Sequence, residues 1–151
     1  MNATPINATP INATVEKFGY PASLVREFEH WLVLVRPTQV TLGSLVLAAK
    51  TDATAYGELP RQAFAEQAEA IGAIETGLTA FCRYERINYL MLMMVDPHVH
   101  FHVIPRYSGM REWNGLGLTD HGWPGPPDLQ SAIRLSTNQI SALVGELAKL
   151  V

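Results

Sequence analysis

Several features that are common in other protein classes are scarce or missing in this chain of 151 residues. It has one cysteine, Cys82, which excludes an internal disulfide framework and a cysteine-rich zinc site. A lone cysteine is also typical of a reducing compartment. No apolar run is long enough to span a bilayer, and the first residues lack the basic and apolar regions of a signal peptide. We therefore expect a cytoplasmic protein that does not bind a membrane.

Positive charge is also scarce. The chain has 11 lysines and arginines against 14 aspartates and glutamates, which gives a formal net charge of −3. Proteins that bind a nucleic-acid polymer usually carry a basic surface, so this balance argues against such a partner. Any phosphate must instead be recognised by a few individually placed groups.

Hydrophobic residues make up 48% of the chain, enough to bury the core of one globular domain, which we predict over residues 16–151. Residues 1–15 contain the repeat Asn-Ala-Thr-Pro-Ile, twice complete and broken at Val15. Prolines at two positions of this repeat block a regular helix, so we expect residues 1–15 to form a flexible N-terminal arm. The alternative is a segment that adds to a partner's surface in an oligomer.

The first half of the domain shows two kinds of apolar pattern. A short helical pattern covers residues 20–30, and continuous apolar runs predict two strands over 31–35 and 44–49. Apolar residues at steps of three and four then predict a long amphipathic helix over 60–84. Together these patterns indicate a mixed α+β domain.

The second half is predicted to contain a third strand over 87–95, whose methionines we expect to fill the core. A long loop is expected over 108–127, because this stretch is rich in glycine, proline and tryptophan. A last helix is predicted to begin after Asp128, as its N-cap, and to end near Leu150.

Three of the five histidines alternate with apolar residues in the stretch His98-Val99-His100-Phe101-His102-Val103-Ile104. In a strand, residues two apart share a face, so the three histidines are expected to line one face. The residues between them would pack into the core. Asp96-Pro97 is a turn signal, so we expect the third strand to pair antiparallel with this one through a tight connection.

Three kinds of role are open to these histidines. Imidazoles on a half-buried face can be structural. His-x-His on a strand can also supply two metal ligands, with His121, Asp96 or Asp120 as a third. Finally, a neutral imidazole can attack phosphorus if an acceptor holds its other nitrogen, while flanking histidines orient the phosphate.

The stretch resembles the signature of the histidine triad (HIT) hydrolases and nucleotidyl transferases, in which three histidines alternate with apolar residues. Every position from His98 to Ile104 matches, and Pro105 and Arg106 follow. From about Trp31 to Tyr107, the order of elements is similar to that of the diadenosine polyphosphate hydrolase branch.

The resemblance implies an α+β fold, a HIT-like antiparallel β-meander with one long helix across it and a C-terminal helix. It implies a homodimer that requires no metal or other cofactor, although a divalent cation can accompany the substrate phosphates. The implied activity is cleavage of dinucleoside polyphosphates, or of related nucleotide anhydrides and phosphoramidates, through a nucleotidyl-histidine intermediate.

The same resemblance implies roles for individual residues. His100 would be the nucleophile, His98 would orient the nucleophile or the strand connection, and His102 would contact the phosphates. Asn88 matches an asparagine that often lies near the nucleotide.

The chain departs from the family pattern near the site. Ser44 stands where many members have a histidine and Arg36 where many have an asparagine, and we expect both to bind substrate. The glycine-containing loop that precedes the triad in most members is reduced here to residues 95–97. We expect the missing donor to come from Arg106, from Arg111 or from the loop 113–123.

Alternatives remain at two levels. Arg106 could equally be a strand-end surface residue. For the whole protein, the main alternative is a nucleotide-binding regulatory protein with little turnover, and the second is a metal-dependent enzyme with the three histidines as ligands.

Overall fold

The computed structural model describes residues 12–151, so the arm prediction for residues 1–11 lies outside the described residues. For residues 12–15 that prediction is wrong. Asn12 caps helix α1, Ala13–Lys17, by accepting a hydrogen bond from the backbone N–H of Val15. Val15 and Phe18 lie three residues apart and bury against the sheet, which holds this turn of helix in place.

Residues 12–151 form three helices and nine strands, with one further 3-10 turn at Tyr56–Glu58. The helices are α1, α2 (Arg61–Cys82) and α3 (Thr137–Leu147). The strands are β1 (Leu24–Glu27), β2 (Trp31–Val35), β3 (Thr38–Gln39), β4 (Leu45–Ala49), β5 (Arg86–Leu90), β6 (His100–Arg106), β7 (Met110–Trp113), β8 (Leu116–Thr119) and β9 (Ile133–Arg134).

Five of these strands form one antiparallel sheet in the order β1-β2-β4-β6-β5. Every residue of β2 and β4 is buried, as expected for continuous apolar runs in the middle of a sheet that is covered on both faces. The expected α+β class, with an antiparallel sheet, a long helix and a C-terminal helix, is confirmed.

Helix α2 covers one face of the sheet and contributes Ala70, Ile74 and Leu78 to the main core. Its bounds agree with the long helix predicted from the sequence. Helix α3 also packs there but begins later than predicted. Its N-cap is Ser136, whose side chain accepts a hydrogen bond from Gln139 N, rather than Asp128.

The opposite face of the sheet carries a smaller apolar cluster under α1, formed by Val15, Phe18, Leu32, Leu34, Val46 and Ala48. The helix predicted over 20–30 is wrong, because the middle of this range is the edge strand β1. Val25 is buried in that strand while the two residues after it are exposed, so pairing with β2 overrides the short helical pattern.

Strand β5 ends at Leu90, five residues earlier than predicted. It pairs antiparallel with β6 as expected, but the connection is the nine-residue segment 91–99 rather than a tight turn. Met94 and Val95 are 82% and 84% exposed. A loop therefore does precede the histidine strand, and Met94 does not fill the core as expected.

Two small sheets complete the fold. Strands β7 and β8 form a hairpin inside the stretch predicted as a long loop. Its turn residues Asn114 and Gly115 both have positive φ, the conformation that Asn-Gly turns favour, and this signal identifies the hairpin. Strand β9, which includes Arg134, pairs with β3. None of the helices in residues 12–151 is long and apolar enough to cross a bilayer.

Candidate active site

His100 and His102 lie two residues apart on β6 and point to the sheet face that α1 covers. Their rings are nearly perpendicular, with centroids 5.0 Å apart. The alternation predicted from the sequence therefore holds for this pair. Val103 points to the opposite face and is fully buried in the main core.

The hydrogen bond of His100 determines which of its nitrogens is free. Its Nδ1 lies 2.7 Å from the backbone carbonyl oxygen of His98. A carbonyl only accepts hydrogen bonds, so Nδ1 carries the proton and the neutral ring presents a lone pair at Nε2. This is the protonation that a nucleophilic imidazole needs.

His102 has the opposite arrangement. Arg36 donates from Nε to His102 Nδ1 over 3.3 Å, and a guanidinium only donates, so the neutral ring carries its proton on Nε2. Burial, followed by the positive charge of Arg36, lowers the pKa of His102 to about 4. His102 is therefore a neutral hydrogen-bond donor at pH 7, next to a histidine with a free lone pair.

His98 lies outside β6, so the three histidines do not share one strand face as expected. Its ring Nδ1 is 2.8 Å from Thr14 Oγ1, and its backbone N–H donates to the same oxygen over 3.4 Å. Its contact with His100 runs through the main-chain carbonyl. The reason is that the connection 91–99 extends to His98, and strand pairing begins only at His100.

Helix α1 and its C-cap residue, Phe18, supply three further residues that the sequence reasoning missed. Thr14 holds His98, and Lys17 Nζ lies 2.9 Å from Asp96 Oδ1 in the connection. The Phe18 ring packs 5.5 Å from the His100 ring. The signal that identifies this helix is an N-cap residue, Asn12, followed by apolar residues three apart.

Two clefts meet at His102. The first, which we call the apolar cleft, has a volume of about 230 Å³ and is lined by Leu92, Met93, Met94, Val95, Asp96, His100 and His102. The second, which we call the cationic cleft, has about 400 Å³ and is lined by Lys17, Phe18, Arg36, Pro37, Thr38, Leu92, Asp96, His102, Leu129 and Arg134. A ligand that reaches the histidine pair can therefore extend in two directions.

Arg106 is neither a surface residue nor a free phosphate ligand. It is 4% exposed and donates from Nε and Nη2 to the two carboxylate oxygens of Asp120, over 2.7 and 3.0 Å. Its remaining contacts are Asn88 Oδ1 at 2.8 Å and the carbonyl of Gly125 at 2.9 Å. Arg106 and Asn88 line another cleft beside Trp123, which shares no lining residue with the two clefts at His102.

The other residues expected near the substrate are placed differently. Ser44 is fully buried, and its hydroxyl donates to Thr41 O and accepts from Thr41 N, so the expectation that it binds substrate is wrong. Arg111 uses its donors on carbonyls at the end of α2, including Cys82 O. Neither Arg111 nor the loop 113–123 lines the clefts at His102, so the expectation that they supply the missing donor stays a prediction. Arg36 does lie in the site.

The metal alternative needs three ligands that converge. Among residues 12–151, no group of three or more histidine, cysteine, aspartate or glutamate side chains is arranged to hold a metal ion. The ring Nδ1 of His98 lies 2.8 Å from Thr14 Oγ1 instead. The described side chains therefore do not support a site with the three histidines as ligands.

Comparisons of the sequence gave no match to any protein-family model and none to curated proteins. Comparison of the structure did give matches. A histidine triad protein from Sinorhizobium meliloti is 18% identical, with a TM-score of 0.74, over 96% of this chain and 98% of that one. One from Bradyrhizobium japonicum is 16% identical, with a TM-score of 0.72, over 95% of this chain and 98% of that one. The chain has the histidine triad fold.

A third protein with the HIT fold is the diadenosine triphosphate hydrolase of Plasmodium falciparum. It is 11% identical, with a TM-score of 0.63, over 85% of this chain and 76% of that one. The HIT fold thus covers nearly the whole chain, well beyond the segment from Trp31 to Tyr107 over which the sequence resembles the family.

Proposed function

We propose that this protein is a HIT-type nucleotide hydrolase or nucleotidyl transferase, with His100 as its nucleophile and dinucleoside polyphosphates as its substrates. One observation carries the proposal. His100 Nδ1 is held 2.7 Å from the His98 carbonyl, so Nε2 is the lone-pair nitrogen of a buried, oriented ring. The Plasmodium falciparum hydrolase of the same fold supports the choice of substrate class.

The proposed reaction has two displacements at the α-phosphorus. His100 Nε2 forms a bond to phosphorus, and the bond to the bridging oxygen breaks, so that the leaving group takes the electron pair as a phosphate anion. The ring is then an imidazolium whose proton stays on Nδ1, where it is hydrogen-bonded to the His98 carbonyl. Water next attacks phosphorus, the P–N bond breaks, the neutral His100 ring is restored, and the water proton passes to solvent.

His102 has a supporting role in this proposal. Its Nε2–H donates to a non-bridging oxygen of the reacting phosphate, where negative charge accumulates in the transition state. Because the pKa of His102 is lowered to about 4, the ring remains a neutral donor across the physiological range. His98 acts through its carbonyl, and Thr14 holds the His98 ring.

The test is intact-mass spectrometry after brief incubation with diadenosine tetraphosphate and a quench without acid. We expect a mass increase of one adenylyl group on the wild type and none on His100→Ala. His121→Ala is the matched control, because His121 is an exposed loop histidine, and it should retain the adduct. An adduct on His100→Ala, or none on the wild type, would overturn the proposed mechanism.

A nucleotide-binding protein with little turnover is the second candidate. His100 is only 1% exposed and Phe18 packs against its ring, so access to the nucleophile is narrow. Tight binding of AMP without an adduct from any dinucleotide would favour this function.

We also propose that the protein acts as a cytoplasmic homodimer that requires no cofactor and binds neither nucleic-acid polymers nor membranes. Strand β5 lies at an edge of the sheet, so the outer side of its backbone can pair with a second copy. Sedimentation analysis at micromolar concentration tests the dimer, and a monomer there would count against it.

A further inference from the structure

Three cations from separate parts of the chain line the cationic cleft. Lys17 lies at the end of α1, Arg36 follows β2, and Arg134 ends β9, which pairs with β3 through Thr38. They come together because α1 and β9 both pack beside the segment that follows β2. No motif in the sequence connects them.

The charge of this cleft differs in sign from that of the whole protein. The cleft is lined by three cationic side chains and by one carboxylate, that of Asp96. With His102 neutral, the formal charge of the cleft is therefore +2. The chain as a whole has a net charge of −3. Positive charge is therefore concentrated in a concave site, the arrangement that binds polyanions.

The position of the cleft relative to His100 indicates which part of a substrate it would hold. His100 lines the apolar cleft but not the cationic cleft, whereas His102 lines both. In a displacement at phosphorus the attacking and leaving atoms lie roughly in line on opposite sides. A phosphate attacked by His100 and held by His102 would therefore direct its leaving group away from His100, towards the cationic cleft.

We propose that the cationic cleft binds the polyphosphate leaving group, with Lys17 and Arg134 as residues that determine specificity for leaving groups that contain phosphate. This inference rests on the proposed function. When the bond between the α-phosphorus and the bridging oxygen breaks, that oxygen keeps the electron pair, and the new charge lies next to these cations. They supply the donors that were expected from Arg106 and Arg111.

Arg134 is the residue to change. Arg36 also holds His102, and Lys17 is paired with Asp96, so substitution of either would alter the histidine pair or free a carboxylate. Arg134 is exposed and joins the small β3–β9 pair through its backbone, so Arg134→Ala should fold. Arg61→Ala is the matched control, because Arg61 is an exposed arginine at the start of α2, on the other face of the sheet.

The experiment compares kcat/KM for diadenosine tetraphosphate with kcat/KM for the p-nitrophenyl ester of AMP, whose leaving group carries no phosphate. Loss of one charged hydrogen-bond donor should lower the ratio of the two values about tenfold in Arg134→Ala. The ratio should stay within about twofold of the wild type in Arg61→Ala. An unchanged ratio in Arg134→Ala would overturn the inference.

Binding of inorganic tripolyphosphate, measured by calorimetry, tests the cleft separately from turnover. If tripolyphosphate binds more weakly to Arg134→Ala than to the wild type and to Arg61→Ala, the cleft is supported as a polyphosphate site, even if no adduct forms on His100. Equal binding to all three proteins would overturn it even if the adduct formed. Failure of this inference and failure of the proposed function are therefore distinguishable.

Discussion

The ion pair between Arg106 and Asp120 leads to the most direct prediction about stability. The side chains of these residues are 5% and 1% exposed, and two hydrogen bonds join them. Asp120 also accepts from the backbone N–H groups of Tyr107 and Gly122. Replacing Asp120 with alanine would leave the Arg106 guanidinium buried with only the neutral oxygens of Asn88 and Gly125 as partners.

The expected loss in the free energy of unfolding of Asp120→Ala follows from the burial of the pair. Removing one partner of a buried pair costs about 3–5 kcal/mol, because the remaining charge is desolvated without compensation. For a chain of 151 residues, this corresponds to a fall in Tm on the order of 10 °C. Replacing both residues with leucine removes the unpaired charge as well, so the double variant should recover at least half of the lost stability.

The assay is urea denaturation followed by tryptophan fluorescence, with Tm as a second measurement. Asp128→Ala is the matched control, because Asp128 lies in the same loop but is exposed, and it should lose less than about 1 kcal/mol. A loss below about 1 kcal/mol in Asp120→Ala would refute the reasoning. Arg106 would then be free to serve a ligand instead of holding Asp120.

Four further predictions concern the site and the core. The free energy of unfolding should fall by about 3 kcal/mol from pH 6.5 to pH 4. The reason is that His102 takes up its proton near pH 6.5 in the unfolded chain but only near its pKa of about 4 in the folded chain, and urea denaturation at several pH values measures the fall. Arg36→Met should raise the pKa of His102, since a positive charge is removed while burial remains. NMR titration of the His102 ring protons measures this pKa, and an unchanged value would contradict the effect of Arg36. Thr14→Val should lower kcat more than it raises KM, because the His98 ring loses its partner, and an unaltered kcat would contradict that role. Gly77→Ala should cost about 1–3 kcal/mol, since its Cβ would lie 2.7 Å from a side-chain carbon of the last residue, and unchanged Tm would show that the C-terminus moves aside.

The sequence was most informative where the spacing of apolar residues along a strand or helix is enough to show which side chains face the core. Alternation in the histidine stretch correctly put His100 and His102 on one face and Val103 in the core, because the period of a strand is two. Continuous apolar runs identified β2 and β4, and steps of three and four identified α2. These patterns depend only on which face of an element is buried.

Sequence reasoning failed where an element's end depends on a partner. The apolar run through Met94 and Val95 reads as a strand, but β5 stops at Leu90, where its pairing with His102 of β6 ends. The same run therefore becomes the loop before the histidines, and His98 leaves the strand with it. Likewise, residues 24–27 of the helical pattern over 20–30 form a strand, because β1 pairs with β2.

By itself, the sequence determined that His100 and His102 share one strand face, because alternation is a local property of the backbone, but it placed His98 on that face as well. The tertiary structure decided what each histidine can do. The His98 carbonyl and the Arg36 guanidinium give neighbouring rings opposite tautomers, and packing of α1 and β9 brings Lys17 and Arg134 beside them. Contacts between residues so far apart in the chain depend on how the elements pack, and no local pattern encodes them.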